Sequence, residues 1–174
     1  MKLPQLSVTL RTAFTLELAM IRRANAGITL QTNYADTGCS YGTGVVSTTY
    51  NMRQVQRYGP PDCLIAHENE HVNYASTCCA RAKICVDNSA DGGAQCNQAF
   101  RQWQRQTLND DECRAYNREI ACLQQAIASG RYNDEATTML NARLADAQYY
   151  SNYYCSRVRG PVPGCPFDAL GNIA

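Results

Sequence analysis

The stretch Leu64-Ile65-Ala66-His67-Glu68-Asn69-Glu70-His71-Val72 carries the pattern H-E-x-x-H at its centre. Residues four apart lie on the same face of an α-helix, so His67 and His71 can direct two imidazole rings at one point. Such a pair binds zinc, and Glu68, further round the helix, can act as general base toward a water on the metal. The chain has only two histidines, and both lie here. The pattern therefore predicts a catalytic zinc site.

The residues around this pattern are typical of a helix. The sequence Gly59-Pro60-Pro61-Asp62 ends the preceding element and gives a rigid backbone at the start of a helix. Asp62 in it is a typical N-cap residue. Apolar residues on one side and polar residues on the other give the amphipathic character of a helix that packs against a core. We therefore expect the two histidines to lie on a helix that begins at about residue 62.

Length and charge narrow the class of protein. A chain of 174 residues is the size of one domain, and we assign residues 1–174 to it. The formal net charge is only +1, and no run of lysines and arginines occurs. Such a chain lacks the basic patch of a nucleic-acid-binding protein, and it has no apolar run of about 18 residues that would insert into a membrane.

Ten cysteines are far more than a chain of this length ordinarily contains. Their number is even, they are spread over most of the chain, and none forms a C-x-x-C pair of the kind that binds structural zinc. They predict a disulfide framework whose connectivity the sequence does not determine, the alternative being free thiols in a cytosolic protein. The cysteines are Cys39, Cys63, Cys78, Cys79, Cys85, Cys96, Cys113, Cys122, Cys155 and Cys165.

The first residues do not read as an export signal. After Lys2, apolar and polar residues alternate, and no apolar stretch of 7–15 residues follows. We expect either a mature or excised domain of a longer protein, or delivery by a machinery that uses no cleavable signal. Both routes lead to an oxidising compartment, either the periplasm or the extracellular space.

The patterns along the chain predict strands first and helices afterwards. Apolar residues at every second position from Leu6 to Met20 indicate strands, and further strand-like runs occur at 28–32 and 45–52, with a loop at 36–44. Helical patterns follow, separated by breaks at 87–93, 109–111 and 130–132. The predicted helices cover 62 to about Cys79 or Cys85, 95–108, 112–129 and 133–157.

These elements predict an α+β fold of one disulfide-stabilised domain. A small N-terminal sheet covers about 6–52, helices cover about 62–157, and an irregular tail rich in glycine and proline covers 158–174.

A catalytic zinc ion takes three protein ligands, so a third ligand must come from elsewhere. No third histidine exists, and a disulfide-bonded cysteine cannot bind zinc. Glu112 and Glu119 are seven residues apart and share one helix face with small residues, which allow close approach to another helix. Either carboxylate can complete the site. Alternatively, Glu112 forms a capping box with Asn109, and Glu119 supports a ligand histidine through a salt bridge or hydrogen bond.

The combination of H-E-x-x-H with a downstream helix that reads Glu112-Cys113-Arg114-Ala115 resembles the gluzincin class of zinc metallopeptidases. The resemblance covers about residues 60–125 and implies a zincin-like fold with Zn²⁺ held by His67, His71 and Glu112, Glu119 being the alternative third ligand. It also implies that Glu68 is the catalytic base and that a protein or peptide is the substrate.

Two features depart from the gluzincin pattern. Tyr116 stands where many members have an aspartate four residues after the ligand glutamate, and no later histidine exists to stabilise the transition state. Tyr116, or a tyrosine of the cluster at 149–154, is the candidate for that role.

A narrower resemblance rests on the sequence Glu119-Ile120-Ala121-Cys122-Leu123. A short H-E-x-x-H domain with such a helix resembles metallopeptidase toxin domains of bacterial type VI and related secretion systems. This resemblance implies an antibacterial effector that acts in the periplasm, carried by a larger delivery protein and neutralised by an immunity or inhibitor protein. The alternatives are a zincin amidase acting on cell-wall peptides and a non-catalytic, secreted, disulfide-rich binding domain.

Overall fold

The computed structural model describes residues 35–51, 55 and 61–174, and it shows an α+β fold in which a two-stranded sheet precedes three helices. This part of the chain confirms the predicted α+β class, whereas the strands predicted at 6–20 and 28–32 lie outside it. None of the three helices combines the length and apolar character that crossing a bilayer requires. The elements are β1 (Ala35–Ser40), β2 (Val45–Tyr50), α1 (Asp62–Asn88), α2 (Ala94–Ala128) and α3 (Asp134–Cys155).

The two strands form an antiparallel hairpin in which Ser40 pairs with Val45. β2 coincides with the strand predicted at 45–52, but β1 lies in the segment 36–44 that the sequence predicts as a loop. The loop prediction is therefore wrong for β1. The strand lacks an alternating apolar pattern, and only Cys39 within it is buried, so its conformation depends on pairing with β2 rather than on its own residues.

Helix α1 begins where the sequence predicts it, directly after Pro61. Asp62 is its first helical residue rather than an N-cap, and its negative charge in the first turn favours the positive end of the helix dipole. The helix continues to Asn88, beyond the predicted end near Cys79 or Cys85. The predicted break before the next helix is present, and α1 is therefore the predicted helix with a later end.

Helix α2 is one helix of 35 residues, where the sequence predicts two helices with a break at 109–111. The break is absent because its two acidic residues have partners within or beside the helix. Asp110 pairs with Arg114 one turn later, and Asp111 lies buried beside His71. A capping box at Glu112 is therefore excluded, since this residue lies in the helix interior.

Helix α3 begins with the predicted cap, since the Asn133 side chain accepts a hydrogen bond from the Ala136 backbone N–H at 2.9 Å. It ends at Cys155, and the following tail contains no helix, as predicted for 158–174. The tail packs against the helices: the Trp103 indole donates to the Pro163 carbonyl at 3.1 Å, and Phe167 is buried.

All ten cysteines form disulfides, which confirms the predicted framework and excludes free thiols. Five disulfides in one chain indicate an oxidising compartment, because reducing compartments rarely maintain them. The pairs are Cys39–Cys79, Cys63–Cys122, Cys78–Cys165, Cys85–Cys96 and Cys113–Cys155.

Helices α1 and α2 form an antiparallel pair, and the two histidines lie in the N-terminal half of α1. Cys85–Cys96 crosslinks the pair next to the connecting turn, and Cys63–Cys122 crosslinks it at the far end. Hydrophobic side chains pack at both ends, one cluster around Phe100 and the other between α2 and α3. Covalent and apolar contacts thus fix the register of the two helices on both sides of the histidines.

Candidate metal centre

His67, Glu68 and His71 all lie on α1 and are only 6–8% exposed. The two histidines turn the same ring nitrogen toward each other, and the distance from His67 Nε2 to His71 Nε2 is 3.1 Å. The sequence-predicted convergence of two imidazole nitrogens on one point is therefore present in the fold.

Glu112, on α2, brings a carboxylate to the same point. Its Oε2 atom is 4.0 Å from His67 Nε2, and the ligand atoms of His67, His71 and Glu112 all lie within 4.8 Å of one another. This oxygen is buried and has no hydrogen-bond partner among the described residues. Burial raises the pKa of Glu112 to about 7, although the neighbouring histidines oppose the increase.

The opposite ring nitrogens of the two histidines face carboxylates. His67 Nδ1 is 2.9 Å from Glu119 Oε2, and His71 Nδ1 is 3.0 Å from Asp111 Oδ1. A carboxylate oxygen attracts a ring N–H, so each contact favours the proton on Nδ1, through a hydrogen bond at His67 and through the close approach of Asp111 at His71. The lone pairs of the two Nε2 atoms are then directed at the same small space as the Glu112 carboxylate.

Glu119 contacts a residue of α3 as well as His67. Arg143, on α3, contacts both of its carboxylate oxygens. Burial by itself would raise the pKa of Glu119, but the His67 hydrogen bond and the Arg143 charge outweigh it and lower the pKa to about 2. Glu119 is therefore an anion that contacts the far side of the His67 ring, whereas Glu112 lies on the side where the two histidines meet.

This donor set fits a zinc ion. Two nitrogens bound to one tetrahedral zinc at about 2.0–2.1 Å are roughly 3.3 Å apart, close to the 3.1 Å between the two Nε2 atoms. Three facing lone-pair donors, one of them a buried carboxylate oxygen without a hydrogen bond, call for a cation or a proton between them. Carboxylates on the opposite nitrogens are also typical of zinc-binding histidines.

Glu68 points toward the hairpin. Its Oε2 accepts a hydrogen bond of 2.6 Å from the Thr37 hydroxyl on β1. The predicted catalytic base therefore lies between the histidine pair and the sheet, and it does not belong to the three-residue cluster.

Tyr116, the predicted transition-state stabiliser, lies on α2 with its ring centroid 4.6 Å from that of His67. Its side chain is 3% exposed, and its ring stacks on Tyr150 and Tyr154 of α3. Burial raises the pKa of Tyr116 well above its usual value, so the phenol stays protonated. These contacts give Tyr116 a packing role beside His67, and its part in catalysis stays a prediction.

Three residues of this site are not identified by sequence reasoning. Asp111 is part of a triplet that reads as a helix cap, Arg143 is an ordinary arginine on an amphipathic helix, and Thr37 lies in the predicted loop. For Asp111, its position directly before Glu112 is a signal, because adjacent side chains on a helix point about 100° apart and can contact different atoms of the histidine pair. Arg143 and Thr37 carry no comparable signal.

The chain was compared with protein-family models, with curated proteins and with solved structures, and no match was found in any of the three.

Proposed function

We propose that the chain is a zinc-dependent hydrolase of zincin type that cleaves peptide bonds. The observation that supports this proposal best is the convergence of His67 Nε2, His71 Nε2 and the buried Glu112 carboxylate, with a carboxylate behind each histidine. In this proposal the three residues bind Zn²⁺, and Glu119 orients His67 without binding the metal.

Each residue of the site has a separate role in the proposed hydrolysis. A bound zinc ion supplies Lewis acidity toward the scissile carbonyl and toward water. Glu68 takes a proton from the attacking water and delivers it to the leaving amine, as general base and then general acid. The carboxylates of Glu119 and Asp111 hold the two imidazoles in the tautomer that leaves Nε2 available.

The primary experiment compares Glu68→Gln with Glu112→Gln. Purified protein is analysed for zinc by mass spectrometry, and a crystal is examined for an anomalous zinc signal. We expect one zinc per chain in the wild type and in Glu68→Gln, and none in Glu112→Gln. Cleavage of labelled casein and toxicity should be lost in both variants. A wild type without zinc, or a Glu68→Gln variant of unchanged activity, contradicts the proposal.

We further propose that the domain is an antibacterial effector that acts in the periplasm on a protein or on the peptide part of the cell wall. The disulfide framework supports this location, since the fold needs an oxidising compartment. Expression with and without an added export signal tests it: harm to the cell should require export, and equal harm from the cytoplasm counts against a periplasmic target. Co-purification of a bound protein with the domain then tests for an immunity protein.

Peptidase and cell-wall amidase share this chemistry, so substrates must separate them. Purified cell wall and casein are incubated with zinc-loaded protein, and the products are identified by mass spectrometry. A non-catalytic binding domain, in contrast, leaves both substrates intact and gives identical results for the wild type and Glu68→Gln.

A further inference from the structure

A hydroxyl group on β1 contacts the predicted catalytic base. Thr37 Oγ1 donates to Glu68 Oε2 at 2.6 Å, a distance typical of a charge-assisted bond from a hydroxyl to a carboxylate. A hydroxyl has one proton, and a carboxylate can only accept, so the Thr37 proton is directed at Glu68. One oxygen of Glu68 is therefore held by the sheet.

A second threonine supports the first. Thr48 on β2 is the cross-strand partner of Thr37, and the two hydroxyl oxygens are 2.7 Å apart. Because the Thr37 proton is directed at Glu68, Thr48 must donate to Thr37. The hydrogen bonds thus run in one direction, from Thr48 through Thr37 to Glu68, and the donors strengthen one another.

The position of Thr37 relative to α1 is fixed by a covalent link. Cys39 lies two residues further along β1, on the same face of the strand, and it is disulfide-bonded to Cys79 of α1. Val46, which pairs with Cys39, is also buried. The strand therefore cannot slide along the helix, and Thr37 stays within reach of Glu68.

We propose that Thr37 is a positioning residue for Glu68, and that its hydroxyl holds the carboxylate in the orientation needed for proton transfer. This inference rests on the proposed hydrolase function. A glutamate side chain has several rotatable bonds, and a displacement of about 1 Å at a reacting group can reduce a rate about 100-fold. A hydrogen bond from a rigid, crosslinked strand removes that freedom.

The test compares Thr37→Val, which removes the hydroxyl at nearly constant volume, with Thr37→Ser, which keeps it. Thr49→Val makes the same chemical change on the exposed face of β2 and serves as control. With labelled casein as substrate, we expect Thr37→Val to lower the apparent kcat at least about tenfold, with KM and zinc content unchanged. Thr37→Ser and Thr49→Val should stay within about twofold of the wild type. An unchanged kcat in Thr37→Val, or an equal loss in Thr37→Ser, overturns the inference.

A second measurement does not depend on activity. Thr37→Val, Glu68→Ala and the double variant are unfolded in urea, free of zinc and with disulfides intact. Each single variant changes the unfolding equilibrium constant by some factor. If the two side chains interact, the factor for the double variant should differ from the product of the two single factors by at least about fivefold. Independent effects overturn the inference whether or not casein is cleaved. If the two effects are coupled but zinc-loaded protein does not cleave casein, the hydrolase proposal is overturned. The hydrogen bond between Thr37 and Glu68 is then a structural contact.

Discussion

Arg143 donates two hydrogen bonds to Glu119, from Nε to Oε1 at 2.6 Å and from Nη2 to Oε2 at 3.1 Å. Glu119 Oε2 also accepts a hydrogen bond from His67 Nδ1, so a continuous set of polar contacts runs from α3 to the candidate metal centre. Helix α3 supplies none of the three candidate ligands, yet through Arg143 it contacts the carboxylate that holds one of them.

Replacing Arg143 by methionine should weaken zinc binding. Methionine keeps much of the side-chain volume but leaves Glu119 with fewer donors, and loss of such outer partners typically lowers metal affinity about 10–100-fold. Competition with a chelator measures the affinity. Arg118→Met removes an exposed arginine from the neighbouring position of α2 and should bind zinc like the wild type. Equal affinity in both variants contradicts the predicted role of Arg143.

Glu112→Gln should stabilise the zinc-free protein at alkaline pH. Because burial raises the pKa of Glu112 from 4.5 to about 7, the folded chain holds this proton more tightly than the unfolded chain. The contribution of Glu112 to the free energy of unfolding therefore falls as pH rises between these values. A shift of this size corresponds to about 3 kcal/mol, an upper limit for the gain from a glutamine that cannot ionise.

Urea unfolding at pH 5 and pH 8, with disulfides intact and zinc removed, measures this effect. Glu112→Gln should gain stability relative to the wild type mainly at pH 8, while losing zinc binding. Glu135→Gln changes an exposed residue in the first turn of α3 and should alter neither property appreciably. A Glu112→Gln protein that is less stable at pH 8 would indicate a structural role for this carboxylate.

Zinc binding should release about one proton at pH 8. Burial lowers the pKa of His71, but the carboxylate of Asp111 outweighs this effect and raises the pKa to about 10. The imidazole is therefore protonated in the metal-free protein at pH 8, and it must lose its proton to bind a metal. Calorimetry in two buffers with different heats of ionisation counts the protons. Asp111→Asn should release markedly fewer, and a wild-type count near zero contradicts the prediction.

Removing the Cys63–Cys122 crosslink should affect zinc binding more than removing Cys85–Cys96. Cys63 lies one turn before His67, and Cys122 lies three residues after Glu119, so this disulfide holds the two helices together beside the site. We expect the Cys63→Ala/Cys122→Ala variant to lose at least about tenfold in zinc affinity. The Cys85→Ala/Cys96→Ala variant should lose stability while its zinc affinity stays within about threefold of the wild type. Equal zinc affinities in the two variants would be the contrary result.

The sequence predicts well the parts of the fold that depend on local patterns. The start of α1 after Pro61, the cap at Asn133 and the end of regular helix before the tail all follow from nearby residues. The convergence of His67 and His71 follows as well, because their spacing fixes it once a helix forms.

The parts that depend on distant partners are not predictable in this way. The triplet at 109–111 has the composition of a helix cap, but inside the continuous helix Asp110 pairs with Arg114 and Asp111 contacts His71 of another helix. β1 is a strand because β2 pairs with it. The choice between Glu112 and Glu119 depends on which ring nitrogen of His67 each carboxylate faces, which periodicity leaves open.

The crosslinks at the two ends of the α1–α2 pair have a consequence for metal exchange. A small zinc domain without such links generally unfolds when its ion is removed, because binding energy and folding energy are then the same quantity. Here the disulfides hold α1 and α2 in register by themselves. If the proposed site binds zinc, a chelator should empty it and added zinc should refill it without refolding of the chain. The zinc content would then follow the surrounding zinc concentration.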